Sequence, residues 1–182
     1  MTIALTTSRL VLRVFEVTDL EDLYALDSDP EVMRYITAGI PASYAEIRDH
    51  VLPRLIASTR DDPNYGYWAA IEQRSGAFLG WFHFRPARDL PADIELGYRL
   101  CRSAWGQGYA TEGARALVVR GLHELGLTRV IATAMAANRA SIRVMEKAGL
   151  QYEADFTEWR FPGPDRAAVR YACDRDSGPP AP

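Results

Sequence analysis

Cysteine is scarce in this 182-residue chain: Cys101 and Cys173 stand alone, with no CxxC pair and no Cys/His cluster. That scarcity excludes a structural zinc site of the usual spacing and fits a reducing compartment. A dominant basic charge is also missing. The formal net charge is −3, so no basic face dominates, which argues against electrostatic binding to nucleic acid and leaves open only a local basic groove. Long apolar runs are absent too, and none reaches the about 20 residues that a membrane helix needs. The opening MTIALTTSRL is too short and polar to read as a signal peptide, so the cytoplasm is the expected location. What is present is ordinary globular composition, 48 % hydrophobic and 25 % charged, enough to bury one core.

The periodicities alternate between strand and helix. Leu10, Leu12 and Val14 lie on one face of a strand. Thr18-Asp19 offers a helix N-cap before Leu20, Leu23, Tyr24 and Leu26, and Asp29-Pro30 starts a further short helix. Ser43 to about Arg60 is amphipathic, but Pro53 sits inside it, which predicts a break or kink near His50 to Leu52. Tyr67–Glu72 and Phe78–Phe84 read as strands around an Arg74-Ser75-Gly76 turn. Ile94–Cys101 is another strand. A helix follows, with Ala114, Leu117, Val118 and Leu122 on its apolar stripe and Gly126 as its stop. Arg129–Ala134 is a short buried strand. Asn138 caps the next helix, which ends at Gly149 with Met145 and Leu150 placed for a Schellman contact. Tyr152–Phe161 and Ala167–Cys173 pair around Pro162-Gly163-Pro164-Asp165, and residues 174–182 read as a disordered tail.

The most informative stretch joins the Ile94 strand to its helix through Trp105-Gly106-Gln107-Gly108-Tyr109-Ala110. The first amides of a helix lack intrahelical partners, and glycines let an anion approach the backbone, so the turn points to a phosphorylated ligand. A dinucleotide fingerprint fits poorly, because Thr111 holds the third glycine position and the strand ending at Met135 lacks a ribose-binding acid. A P-loop is excluded because no Gly-Lys-Ser/Thr follows. A tight turn with no ligand is the bland alternative.

With its flanks, the loop resembles the GCN5-related N-acetyltransferases (GNAT). Their signature runs Gln or Arg, two residues, Gly, one residue, then Gly or Ala. Here Trp105 replaces the first residue, a departure typical of the RimJ/RimL-like branch, whose WGxGYATE run is intact in this chain. Three further segments match that branch: Ser8–Arg13 as its opening strand, Asp29-Pro30-Glu31-Val32, and Asn138–Ser141 followed by Glu146-Lys147-Ala148-Gly149-Leu150.

The resemblance implies an α/β GNAT fold over residues 1–173, with a mixed, mostly antiparallel seven-stranded sheet splayed at the motif strand and about four helices. It implies acetyl-CoA as cosubstrate, no metal, and a primary amine acceptor, either a protein N-terminus or a small molecule. Nucleic acid and membrane partners are not expected, and relatives are often homodimers. Backbone amides of Gly106, Gln107, Gly108, Ala110 and Thr111 would hold the diphosphate. Tyr109 belongs to the same cofactor-binding stretch as a packing residue. Tyr98, Arg99, Leu100 and Asn138 would hold the pantetheine arm.

Glu95 is the candidate general base, acting through water. Strand alternation puts it on one face with Gly97 and Arg99, away from Ile94, Leu96, Tyr98 and Leu100. Its bland reading is a solvated carboxylate. Relatives carry a tyrosine acid where this chain has Met145, which has no proton to donate. Ser141 is the replacement candidate, as an acid or as a hydrogen bond to the cofactor. Cys101 has no His partner and is not placed as a nucleophile. His83, Tyr35, Trp68, Trp81 and Trp159 either line an acceptor pocket or fill the core. A non-catalytic acetyl-CoA sensor on the same fold is the alternative function.

Overall fold

The computed structural model describes residues 2–161 and 166–177. Eight strands form one sheet in the order β1-β2-β3-β4-β5-β6-β8-β7. They are β1 Ile3–Thr6, β2 Leu10–Val14, β3 Gly66–Glu72, β4 Phe78–Pro86, β5 Ile94–Leu100, β6 Arg129–Met135, β7 Gln151–Thr157 and β8 Ala167–Asp174. The α segments are α1 Leu20–Asp27, α2 Pro30–Met33, α3 Tyr44–Glu46, α4 Leu52–Ala57, α5 Tyr109–Val119 and α6 Arg139–Lys147. The chain divides into two compact units, Met1–His83 with Tyr98–Tyr109, and Phe84–Gly97 with Ala110–Pro182.

The sheet has one strand more than expected. The addition is β1, an edge strand antiparallel to β2 with a register shift between Ile3 and Leu5. β5 and β6 are parallel, with Ile94 opposite Val130 and Glu95 opposite Ile131. That short register at the start of both strands is the splay expected at the motif strand. β6 continues as an antiparallel partner of β8, from Arg129 opposite Asp174 to Met135 opposite Ala168. β8 therefore runs through Asp174, and Arg175–Ser177 form a 3-10 turn, so ordered structure extends past the expected start of the tail. The expected turn at 162–165 and residues 178–182 lie outside the described residues.

In the first unit, Phe15, Leu23, Leu26, Ile47, Leu52, Leu55 and Trp81 pack as one buried cluster. The helix expected to break or kink near His50 to Leu52 instead runs on without interruption through a π-helical segment, Ile47–Val51, where the Leu52 amide donates to the carbonyl of Ile47. Proline cannot continue the i→i−4 ladder, and a wider turn just before it absorbs the mismatch. In the second unit, α6 closes as the sequence suggested. The amide of Leu150 donates to Met145 O at 3.0 Å and that of Gly149 to Glu146 O at 3.1 Å, with Gly149 at φ 99°. This is a Schellman cap with its apolar contact, since Met145 and Leu150 are both buried.

One close approach places the motif strand. Gly80 in β4 has φ 132°, and a Cβ built there would overlap the carbonyl oxygen of Arg99 in β5. Only glycine satisfies both the backbone conformation and the contact. Gly80→Ala should lower stability by about 2–4 kcal/mol through backbone strain and overpacking. Urea unfolding should show a lower midpoint at unchanged slope, and a midpoint within error of wild type would refute the assignment.

Candidate functional site

The end of β5 is tied to the loop that follows it. The amide of Cys101 donates to Leu79 O at 2.8 Å, holding the strand exit against β4. Arg102–Ala104 make one 3-10 turn. Trp105 then folds back, and its indole Nε1 donates to Leu100 O at 2.8 Å. Gly106 at φ 72° and Gly108 at φ 83° both lie in the left-handed region, where a side chain is strained. At Gly106 an added Cβ would meet nothing within 4 Å, so conformation and not space explains that glycine. Residues 105–108 are exposed, and α5 opens directly after them at Tyr109. An exposed turn on a helix N-terminus presents amides and partial positive charge to an anion.

The loop is braced from behind. Arg9, just before β2, donates from Nη1 to Gln107 O at 2.9 Å, and its guanidinium sits over the Tyr109 ring, 4.4 Å from the centroid. Tyr109 is buried, and its hydroxyl donates to Glu72 at 2.5 Å. Glu72 also accepts from Ser75 in the β3–β4 turn. Those two hydroxyls, Ser75 first and Tyr109 second, hold the Glu72 carboxyl below its usual range. Placing Tyr109 in the loop as a packing residue agrees with this arrangement.

Residues Tyr98 to Leu100 have their side chains committed within the same unit. Tyr98 packs on Phe82, with ring centroids 6.0 Å apart. Arg99 forms an ion pair with Asp27 at the end of α1, and its guanidinium lies 4.8 Å from the Trp81 ring centroid. Asp27 is only 3 % exposed, so this charge must be paired to be tolerated. The sequence reading passed over Asp27. Its trace was visible: Asp27 falls four residues after Leu23 and seven after Leu20, on the apolar stripe of α1, where an unpaired acid has no place.

In the second unit, Glu95 is held in an ion pair and keeps only part of its side chain in solvent. It is 22 % exposed and its Oε2 accepts from Arg85 Nη2 in β4 at 2.7 Å. Asn138 caps α6, its side chain accepting from the Ser141 amide at 3.1 Å, and the Ser141 side chain is half-buried. Ala110 and Thr111, in the first turn of α5, are half-buried. Met145 is 2 % exposed and serves the core.

The aromatic candidates separate by burial. Trp68 is fully buried and Trp81 nearly so, which makes both core residues. His83 is half-buried, stacked on Trp81 at 5.9 Å and edge-on to Tyr67 at 5.1 Å. Tyr35 is half-buried beneath Arg34, and Trp159 is 74 % exposed. Among the described residues no group of three or more His, Cys, Asp or Glu could hold a metal ion, and no helix is long and apolar enough to cross a membrane.

Cys101, beside the loop, is half-buried, and burial first, then the charges of Asp22, Asp29 and Asp27, push its thiol pKa up. A protonated thiol is a poor nucleophile. At neutral pH iodoacetamide should label Cys101 more slowly than a free cysteine peptide, read by mass spectrometry. Labelling at the free-peptide rate would contradict the assignment.

The sequence matches the acetyltransferase (GNAT) domain family over residues 9–151. It is similar to the FsC-acetyl coenzyme A-N(2)-transacetylase of Aspergillus fumigatus, 35 % identical over 93 % of this chain and 75 % of that protein. A crystal structure of a GNAT-family acetyltransferase from Bacillus anthracis superposes with a TM-score of 0.81 at 28 % identity, covering 97 % of this chain and 99 % of the other. The fold also matches RimL, the ribosomal L7/L12 alpha-N-protein acetyltransferase solved with coenzyme A, with a TM-score of 0.78 at 19 % identity over 97 % and 99 % of the two chains.

Proposed function

From the premise that this chain belongs to the acetyltransferase (GNAT) family, we propose that it moves an acetyl group from acetyl-CoA directly to the primary amine of a small molecule. The observation that carries this reading is the turn from β5 into α5, where Gly106 and Gly108 are both left-handed and the loop is exposed at a helix start. Amides in that arrangement suit a diphosphate. Gly106, Gln107, Gly108, Ala110 and Thr111 are assigned to it through their backbone. Tyr98, Arg99 and Leu100 are assigned to the pantetheine arm. Arg99 has its side chain engaged with Asp27 and Trp81, which leaves the main chain as that segment's means of recognition. Asn138 is assigned to the same arm while it caps α6.

Acetyl-CoA supplies an acetyl group activated as a thioester. The protein must then remove a proton from the attacking amine and assist the departure of the thiolate. Glu95 is assigned as the base, acting through a water, with Arg85 orienting its carboxylate. Ser141 is assigned to the thiol end of the donor. Met145 has no proton to give, and its burial leaves it a packing role. The raised thiol pKa of Cys101 favours direct transfer over a cysteine-bound acyl group.

A small-molecule acceptor is preferred over a protein N-terminus because the relative sharing about a third of its residues is named for transacetylation at an N(2) nitrogen and not at a protein N-terminus, whereas the RimL likeness rests on the fold. The loss of the tyrosine acid at Met145 favours a second reading, a protein that binds acetyl-CoA without turning it over.

Thiol release from acetyl-CoA, measured with a panel of small amines and N-terminal peptides, separates these readings. Release dependent on a small amine is the expected result. Release only with peptides would move the acceptor class, and coenzyme A binding without release from any acceptor would favour the sensor. Glu95→Gln should cut kcat roughly 10²–10⁴-fold, the range for a lost general base, with coenzyme A affinity unchanged. Unchanged turnover in that variant would remove Glu95 from the mechanism.

A further inference from the structure

We infer that Arg9 is a positioning residue for the donor: it sets the orientation of the Gln107–Gly108 peptide and so holds one amide of the diphosphate cradle ready. The inference rests on the acetyl-CoA reading of the loop given above. Its basis is the geometry of a single planar group. The Gln107–Gly108 bond is trans, and in a trans peptide the carbonyl and the following N–H point in opposite directions. Arg9 Nη1 holds the Gln107 carbonyl on its own side at 2.9 Å. The Gly108 N–H is thereby aimed away from Arg9.

The conformational preference of Gly108 does not hold this plane. Flipping a peptide reverses the ψ of the residue before it and the φ of the residue after it. Gly108, at φ 83°, can adopt either sign of φ at no steric cost. A flipped plane would put the Gln107 carbonyl where the Gly108 amide should be, turning an attractive contact with an anion into a repulsive one. The loop thus needs glycine to reach its conformation and needs an outside contact to keep it.

Arg9 is itself held in place. Its guanidinium covers the Tyr109 ring at 4.4 Å, and Tyr109 is anchored to Glu72 at 2.5 Å. Glu72 accepts a second hydroxyl, from Ser75, and remains ionised into the acid range because of these bonds. A Cβ at position 108 would stand 3.4 Å from Arg9 Nη2, so the guanidinium fills the space behind the loop. The brace runs from the β3–β4 turn to the glycine loop, across 98 residues of sequence between Arg9 and Gln107.

The test is calorimetric titration of Arg9→Met and Arg9→Lys with coenzyme A and with S-acetylpantetheine, which lacks the diphosphate. Arg9→Met should weaken coenzyme A binding roughly tenfold, the scale of one hydrogen bond to a charged group, and leave S-acetylpantetheine binding unchanged. Arg9→Lys retains one donor for the Gln107 carbonyl and should recover part of the loss. An equal loss for both ligands would reduce Arg9 to a general structural role, and no loss for either would overturn the inference. A fault in the underlying reading would show in the wild-type protein, as equal affinity for coenzyme A and S-acetylpantetheine. If Arg9→Met does not fold, Arg9→Lys and Tyr109→Phe, which frees the ring from Glu72, carry the same comparison.

Discussion

A helix begins with amides that no carbonyl of its own can answer, and α5 begins directly after four exposed residues, 105–108. Several features serve that condition. Cys101 is bonded to Leu79, so β5 ends at a fixed place. Trp105 folds back onto Leu100 and turns the chain out of the sheet. Gly106 and Gly108 take left-handed conformations that deliver the chain to Tyr109. Behind the loop, Arg9, Tyr109 and Glu72 form a brace. In front of it the surface is open.

Within each unit a carboxylate is handled by pairing. Asp27 is buried against Arg99, and Glu95 is held by Arg85. The two pairs have different consequences. Removing either partner of the first would strand a charge in a nearly dry place, which is strongly destabilising. The second keeps about a fifth of each side chain in solvent, where a water can reach the carboxylate. The second pair is open to solvent, whereas the first is sealed and serves structure.

Much of this was legible in the chain. Gly149 with Met145 and Leu150 announced the Schellman cap, Asn138 its helix start, and Gly106 and Gly108 the turn. These are local patterns, in which the residues that cooperate lie within a few positions of each other. Pro53 marked an irregularity in its helix, but the helix continues through a widened turn and does not break, and periodicity does not distinguish the two. β1 went unseen because it is a short, half-exposed edge strand with a register shift, so it carries no clean alternation. The Arg9 brace and the Asp27–Arg99 pair join residues far apart in sequence, and one chain alone does not reveal such partners. Asp27 left a trace as an acid on an apolar stripe. Arg9 left none beyond its place in a familiar opening strand.

The π-helical segment Ile47–Val51 lodges one more residue per turn than an α-helix would, and this bears on how the chain tolerates changes in length. Deleting one residue there would restore a regular i→i−4 ladder and leave the helix on either side facing as it does now, because the extra residue is what widens the turn. Ile47, now fully buried, would stay on the core face with Leu52 and Leu55, four residues before Leu52 in place of five. A helix of this kind is an insertion already accommodated. A single-residue deletion in the regular turn that follows would instead rotate one flank by about 100°, one residue's share of a 3.6-residue turn, and cost the first unit part of its packing.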